Sequence, residues 1–478
     1  MDQTFDTLVE QALAAVPDYK RFLTVDELDH SSERLAAEHP GAVSLVPLGR
    51  STGGHPISVV VIGPRKPGPV LPMPDGTRAA LLFGCPHPNE PIGAMMLEFL
   101  SDYLARRPDV VRRLGYTWYI VKCADPDGAK LNEGWFPGPF TLRNYATNFY
   151  RPASHEQVEW TFPINYKTLH FDSPIPETQA LMKIIDEVKP AFMYSLHNAG
   201  FGGVYFYISK PYQELCPVLQ GEAARQTLPL ALGEPEMPYA VKLADAVYVM
   251  PSSKDSYEFL AAHTRRDPAT MITGGTSSDD YARSVADTFT LVCEMPYFYD
   301  PRIDDLRPSD VSRRTVVLEG LDRAAQAYDF LKGKYETMKD LLSGPSRFRT
   351  AIENYLRTWP HNAEAQRDWA KTSPDLERPA TVAEVFSNNQ VNKFYRLLML
   401  GMAARLAALE IGKGGGATTD PAVARLAKVR DEVLAELDRR NTELEAELNY
   451  EVIPIRKLVS VQLATGLRAA EFVARKNG

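Results

Sequence analysis

Cysteine, basic charge and long apolar runs are all scarce in this sequence, and each scarcity sets aside a class of protein. Only four cysteines (Cys85, Cys123, Cys216, Cys293) occur in 478 residues. They stand singly, three of them in apolar strand-like runs, which fits buried thiols in a reducing compartment better than a disulfide framework or a thiolate-ligated zinc. Lys and Arg number 53 against 61 Asp and Glu, a formal charge of -8, so there is no basic footprint for a nucleic-acid partner. No stretch reaches the ~18 uninterrupted apolar residues that cross a bilayer, which argues against a membrane partner. Met1 to Asp6 is acidic and carries neither the basic nor the apolar part of a secretory leader, so the expected location is the cytoplasm. No short repeat recurs, which sets aside solenoids and propellers.

What remains is an ordinary globular composition, 44% hydrophobic and 24% charged, over a length that calls for more than one minimal core. In the first 40 residues, Leu8, Leu13, Val16, Phe22, Leu28, Leu35 and Ala36 are spaced for one helical face, and Thr24 with Glu27 forms a capping box. Ala42 to Leu48 and Ile57 to Ile62 read as a hairpin, and a proline-rich loop from Pro64 to Pro74 follows. Helix-like stretches (Ala94 to Arg107, Ile175 to Val188) then alternate with apolar strands (Tyr116 to Cys123, Ala191 to Leu196, Val204 to Ile208, Phe289 to Glu294). This alternation predicts an α/β fold, a mixed and mostly parallel twisted sheet flanked by helices. From about Pro308 the texture changes to long amphipathic patterns: Thr315 to Leu342, Ser346 to Leu356, Val382 to Leu409, Val423 to Leu448 and Ile453 to Arg475. They predict an all-α C-terminal region with a flexible glycine linker near 412–416. The expected division is an α/β domain over residues 1–307 and a helical domain over 308–478.

Chemistry gathers at the strand ends. His87-Pro88-Asn89-Glu90 leaves an apolar strand and precedes a helix. An imidazole and a carboxylate three residues apart in such a turn can both reach one zinc ion, although alone the pair also fits a helix N-terminus in which Glu90 answers the macrodipole. His197 ends a second apolar strand before the small-residue loop Asn198 to Gly203, and Glu294 closes a third strand. In α/β sheets, ligands collect at the carboxyl ends of the strands. His87, Glu90 and His197 thus form a metal-ligand set for one zinc, and Glu294 supplies a carboxylate able to act as general base on water. The remaining histidines (His30, His39, His55, His155, His170, His263, His361) show no ligand spacing and default to surface or structural roles.

With those residues in place, the chain resembles the zinc metallocarboxypeptidase family over about residues 40 to 300. Leu48 to Ile57 resembles the family's Gly-x-Ser-x-x-Gly-x-x-Ile hairpin, His87 to Glu90 its His-x-x-Glu zinc motif, and Asp125-Pro126-Asp127-Gly128 its Asn-Pro-Asp-Gly turn. Ser195-Leu196-His197 is similar to the strand bearing the third ligand, and Phe289 to Glu294 to the strand bearing the catalytic glutamate. The resemblance implies a carboxypeptidase-like fold, one zinc ion, and removal of a C-terminal residue from a peptide by amide hydrolysis. Gly274 to Tyr281 is similar to the segment that precedes the glutamate in members preferring a C-terminal Lys or Arg. On that reading Asp279 lies in the substrate pocket and pairs with a basic side chain; on the other, Asp279 or Ser278 caps a helix from Tyr281 to Ala286.

The chain also departs from the family pattern. The family's adjacent Asn-Arg pair, which holds the substrate carboxylate, is absent, and Asn148 and Arg151 are the nearest counterparts. Arg143 is the nearest counterpart of the arginine that polarises the scissile carbonyl. Thr270, Met271 and Ile272 stand where the family's mobile tyrosine would lie. Two alternatives therefore stay open: a zinc deacylase acting on an N-acyl amino acid or modified small molecule, and a scaffold whose helical tail dimerises or binds a partner protein.

Overall fold

A computed structural model of the chain describes residues 3–413 and 420–476. Nine strands form one sheet in the order Val43–Arg50, Pro56–Ile62, Tyr116–Val121, Arg78–Phe83, Phe192–His197, Phe289–Glu294, Tyr205–Ile208, Val247–Val249, Lys242–Ala244. The four central strands, Tyr116–Val121 to Phe289–Glu294 in that order, are mutually parallel. They are the near-continuous apolar runs of the sequence, as strands covered on both faces should be. Antiparallel pairing enters on both sides, through the hairpin Val43–Ile62 and through Tyr205–Ile208, and Tyr205–Ile208 in turn pairs parallel with Val247–Val249, so the sheet is mixed.

Alternation along the central strands sends side chains to two separate cores. Phe192, Tyr194, Leu196, Phe289, Leu291 and Cys293 face one core, which also holds residues of the helices Ile92–Arg106 and Ile455–Lys476. Leu81, Phe83, Tyr119 and Met193 face the other, with Leu181, Ile184 and Ile185 of the helix Pro176–Val188. The helix Val25–Glu38 opens on the expected Thr24/Glu27 capping box.

The C-terminal region is helical from Arg313 onward apart from short pairings of Pro308–Ser312 with Pro379–Thr381 and of Glu451–Val452 with Phe298–Tyr299. Two of its helices run further than their patterns suggest. Arg347–Thr372 continues through Pro360, where the sequence reading stops at Leu356 because proline interrupts the helical hydrogen-bond ladder. Val382–Phe386 passes through a π-helical turn, Ser387–Val391, into Asn392–Lys413. Gly412 and Lys413 belong to that helix; the rest of the expected linker, 414–416, lies outside the described residues. The last helix, Ile455–Lys476, returns to the sheet: Gln462 is fully buried and its Nε2 donates to the carbonyls of His197 (3.0 Å) and Cys293 (3.4 Å). The boundary expected near 308 therefore separates two textures of chain, while the closing helix of the second sits in the core of the first.

Candidate metal centre

The polar side chains converge where the central strands end. After Arg78–Phe83 the chain turns sharply: Cys85 adopts φ 48, a left-handed conformation that costs a non-glycine residue about 1–3 kcal/mol. Gly84 and Gly93 permit the close approach that follows. A Cβ on Gly84 would lie 2.6 Å from the carbonyl of Lys122, and one on Gly93 2.5 Å from Cβ of Leu196. The helix Ile92–Arg106 thus rests directly on the strand ends, with His87 and Glu90 in the turn before it. His197 and Glu294 close neighbouring parallel strands and are partners in register, so their side chains leave the sheet on the same side.

His87, Glu90 and His197 are all buried, and each offers one ligand atom within 4.8 Å of the others. The two imidazole rings stand 4.9 Å apart at 65°. Nδ1 of His87 is buried without a hydrogen-bond partner. Nδ1 of His197 lies 3.1 Å from Oε2 of Glu90 and 3.8 Å from Oε1 of Glu294. Glu90 is fixed from both sides, Oε1 accepting from Arg151 (2.9 Å) and Oε2 from the backbone N–H of Asn198 (3.1 Å). Two imidazole nitrogens and one carboxylate are a donor set that zinc accepts in hydrolytic sites, and the orphaned Nδ1 of His87 is what an absent ion would leave.

A chain of hydrogen bonds sets the tautomer of His197. Ser195, two residues earlier on the same face of the strand, donates through Oγ to Oε2 of buried Glu159 (3.3 Å), and so accepts from Nε2 of His197 (2.8 Å). The other oxygen of Glu159 accepts from the N–H and Oγ of Ser278 (3.1 and 2.8 Å). With the proton on Nε2, the lone pair of Nδ1 is free on the side of Glu90 and Glu294.

Burial governs the charge states. It pushes His87 well below the usual histidine range, helped by the charge of Arg151, so the ring is neutral and ready to ligate. Burial first, then the Glu90 and Glu236 carboxylates, hold Glu294 well above the usual carboxylate range, while Arg151 opposes them.

Other residues singled out in the sequence lie in different surroundings. Arg151 joins the site through Glu90, and its Nε donates to Gln157 (3.3 Å). Arg143 does not join it: its guanidinium is half exposed and bonds both carboxylate oxygens of Asp438 (2.7 and 3.2 Å) on the helix Pro421–Glu447. Side-chain partners within its own region also hold Asn148, whose Nδ2 donates to the carbonyl and Oδ1 of Asn144. Asp279 is buried, and its Oδ2 is ion-paired at 2.9 Å to Arg283, one helical turn on, while its Oδ1 has no hydrogen-bond partner among the described residues. The cap of that helix is Ser277, one residue before the segment expected to supply it. A second grouping, Asp26, Asp29 and His55, is more exposed, and Asp26 is ion-paired to Lys130.

Sequence reasoning missed Glu159, Asn198 and Tyr297, whose hydroxyl donates to the carbonyl of Asn89 and to Asn198 Oδ1. Only Ser195 carried a signal, its two-residue spacing from His197 along a strand.

No curated protein matches the sequence. Among solved structures, a carboxypeptidase A from Helicoverpa armigera is 14% identical over 78% of this chain and 80% of its own, at a TM-score of 0.38. A metallo-carboxypeptidase from Burkholderia cenocepacia is 14% identical over 57% and 60%, at 0.35. Bovine thrombin-activatable fibrinolysis inhibitor, in complex with tick carboxypeptidase inhibitor, is 13% identical over 74% and 97%, at 0.34. Overlaps this partial carry no argument about function. The family profile described as zinc carboxypeptidase, by contrast, matches residues 29–308, more than half of the chain and all of the site. The chain belongs to the zinc carboxypeptidase family of metallopeptidases.

Proposed function

We propose that His87, Glu90 and His197 hold the catalytic zinc of this metallopeptidase, that Glu294 is its general base, and that it removes the C-terminal residue of a peptide. The observation that carries this is the pairing in register of Glu294 with His197, which sets a buried carboxylate, with no Lys or Arg within ion-pair distance among the described residues, beside the ligand cluster. When bound, zinc supplies Lewis acidity: it polarises a carbonyl, acidifies water and, as a divalent cation, favours the charged form of Glu294.

Glu294 takes the proton of the attacking water and passes it to the amide nitrogen as the C–N bond breaks. Arg151, rather than Arg143, is the cation that stabilises negative charge on the substrate, because its bond to Glu90 sets it beside the ligand cluster, whereas Arg143 lies away from it on Asp438 of the helical region. A peptide and an acyl-amino acid both fit this chemistry. Whether the tail, residues 308–478, also dimerises or binds a partner is a separate proposal, tested by the mass of the protein in solution.

The test is metal analysis of the purified protein, with mass spectrometry of a mixed pool of peptides and acyl-amino acids before and after incubation. One zinc per chain and loss of single C-terminal residues are expected; release of acyl groups alone would replace the carboxypeptidase by a deacylase. Glu294→Gln should lower kcat roughly 10²–10⁴-fold while zinc stays bound, and undiminished turnover would remove Glu294 from the mechanism.

A further inference from the structure

A cavity of about 400 Å³ lies between the two halves of the chain. One wall is the loop after His197, Tyr205 and the segment around Glu236; the other is Trp369, Asn388, Asn392, Tyr395 and Arg396 of the helical region. The helical wall lies outside the part of the chain that matches the family.

The cavity adjoins the metal centre. Tyr205 is the register partner of Glu294 on the next strand, as Glu294 is of His197, so all three side chains leave the same face of the sheet at the same level. Tyr395 closes the far side: its hydroxyl accepts from the N–H of Gly200 (3.1 Å), which leaves the hydroxyl proton for a ligand. The π-helical turn Ser387–Val391, which supplies Asn388, immediately precedes the helix that carries Tyr395 and Arg396.

The charges in this cavity do not answer one another. Glu234 is paired with Arg313 (2.5 Å). Glu236 has no cation within ion-pair distance among the described residues; it accepts from the hydroxyl of Tyr207 (2.9 Å) and is otherwise exposed. Arg396 donates to Asn392 Oδ1 (3.1 Å) and to the hydroxyl of Tyr355 (3.2 Å), neither of them charged. Among the described residues this carboxylate and this guanidinium have no ion-pair partner, and in a pocket rich in tyrosine they suit a ligand that carries both signs of charge.

We propose that this cavity receives the residue on the amine side of the scissile amide and takes it as a zwitterion, Glu236 pairing with its ammonium or guanidinium and Arg396 with its carboxylate. This rests on the amide-hydrolase reading above. In the reaction the C–N bond breaks, the oxygen of water goes to the acyl carbon, and the amine leaves with a proton while its two charges stay in the cavity. Two substrates share this chemistry: a peptide ending in Lys or Arg, and a lysine acylated on its side-chain nitrogen.

The experiment compares zinc-loaded wild type, Glu236→Gln and Arg396→Gln on four substrates. These are benzoylglycyl-lysine with both charges, benzoylglycyl-phenylalanine with the carboxylate only, benzoylglycyl-diaminopentane with the cation only, and Nε-benzoyl-lysine. In wild type, kcat/KM for benzoylglycyl-lysine or Nε-benzoyl-lysine should exceed each single-charge substrate about tenfold or more; which of the two is preferred identifies the source. Glu236→Gln should erase the advantage over the phenylalanine substrate, and Arg396→Gln the advantage over the diaminopentane one. Ratios near one in wild type, with the phenylalanine substrate still cleaved, would overturn the cavity assignment and leave the hydrolase standing. Ratios unmoved by the substitutions would overturn it too. Calorimetry with free lysine and arginine separates the remaining case. Binding weakened about tenfold in both variants, even with no substrate cleaved, upholds the cavity and sinks the hydrolase; no binding by wild type sinks the cavity.

Discussion

At the scale of single residues the site divides into groups that face the ligand position and groups that hold them. Ser195 and Glu159 are of the second kind, since their hydrogen bonds keep the proton of His197 on Nε2. Ser195→Ala should therefore lower zinc affinity roughly 10–100-fold with little change in fold, read by competition against a chelator; unchanged affinity would show that the tautomer is set elsewhere. Asp125 makes a second prediction. Burial raises its carboxyl to about 7, against an ordinary value near 3.8. A carboxyl raised in the fold takes up a proton on folding, so its stabilisation is full below about pH 4 and is lost as pH rises through about 7. Thermal stability should fall between pH 5 and pH 8, and Asp125→Asn should remove part of that fall; an unchanged profile would place the titration on other groups. The four residues around the ligand position were legible in the sequence because each ends a strand or opens a helix. The supports were not, because Glu159 sits in a single 3-10 turn, Val158–Trp160, too short to show periodicity, and meets Ser195 and Ser278 only through the fold.

Among elements, the strands and helices nearest the site were the most legible, since buried parallel strands read as unbroken apolar runs. One helix end was misread because packing overrode a local stop signal: Pro360 lies inside a 26-residue helix. The stretch read as Val382 to Leu409 is continuous as expected, through the π turn at Ser387–Val391 beside the cavity. The Gly-x-Ser-x-x-Gly hairpin forms as expected, and side chains of two other elements hold its turn. Ser51 Oγ and the N–H of Gly53 donate to Asp127 (2.8 and 2.5 Å), and Arg347 of the helical region grips the same carboxylate at 2.7 Å. That motif is a clamp between elements. Docking of the helix Ile92–Arg106 is a demanding contact of this kind, because nothing separates Gly93 from Leu196. Gly93→Ala should cost about 1–3 kcal/mol of stability and weaken zinc binding as well, because the helix carries the His87–Glu90 turn with it. A variant as stable as wild type, measured by denaturant unfolding, would mean that the strand end yields instead.

Taken whole, the molecule is less divisible than its composition suggests. Tyr194 donates to the carbonyl of Gln462 (3.1 Å), and Arg468 pairs with Asp6 (2.7 Å) and with buried Glu222. The last helix thus joins the central sheet to the first helix of the chain. A chain stopped at residue 450 should lose cooperative unfolding and zinc binding together, as read by calorimetry and metal analysis; a cooperative melt with one zinc bound would show that the α/β part is self-sufficient. Gln462 adds a consequence in time. His87, Glu90, His197 and Glu294 are all synthesised before residue 300, yet the side chain that covers the carbonyls of His197 and Cys293 is made more than 150 residues later. On the ribosome the order of synthesis is therefore fixed: the groups proposed to perform hydrolysis exist early, and the side chain that caps their strands follows much later. A chain interrupted between these points carries the full set of proposed site residues without the element that packs on the ends of their strands, so the proposed metal centre gains that support only once residue 462 has been made.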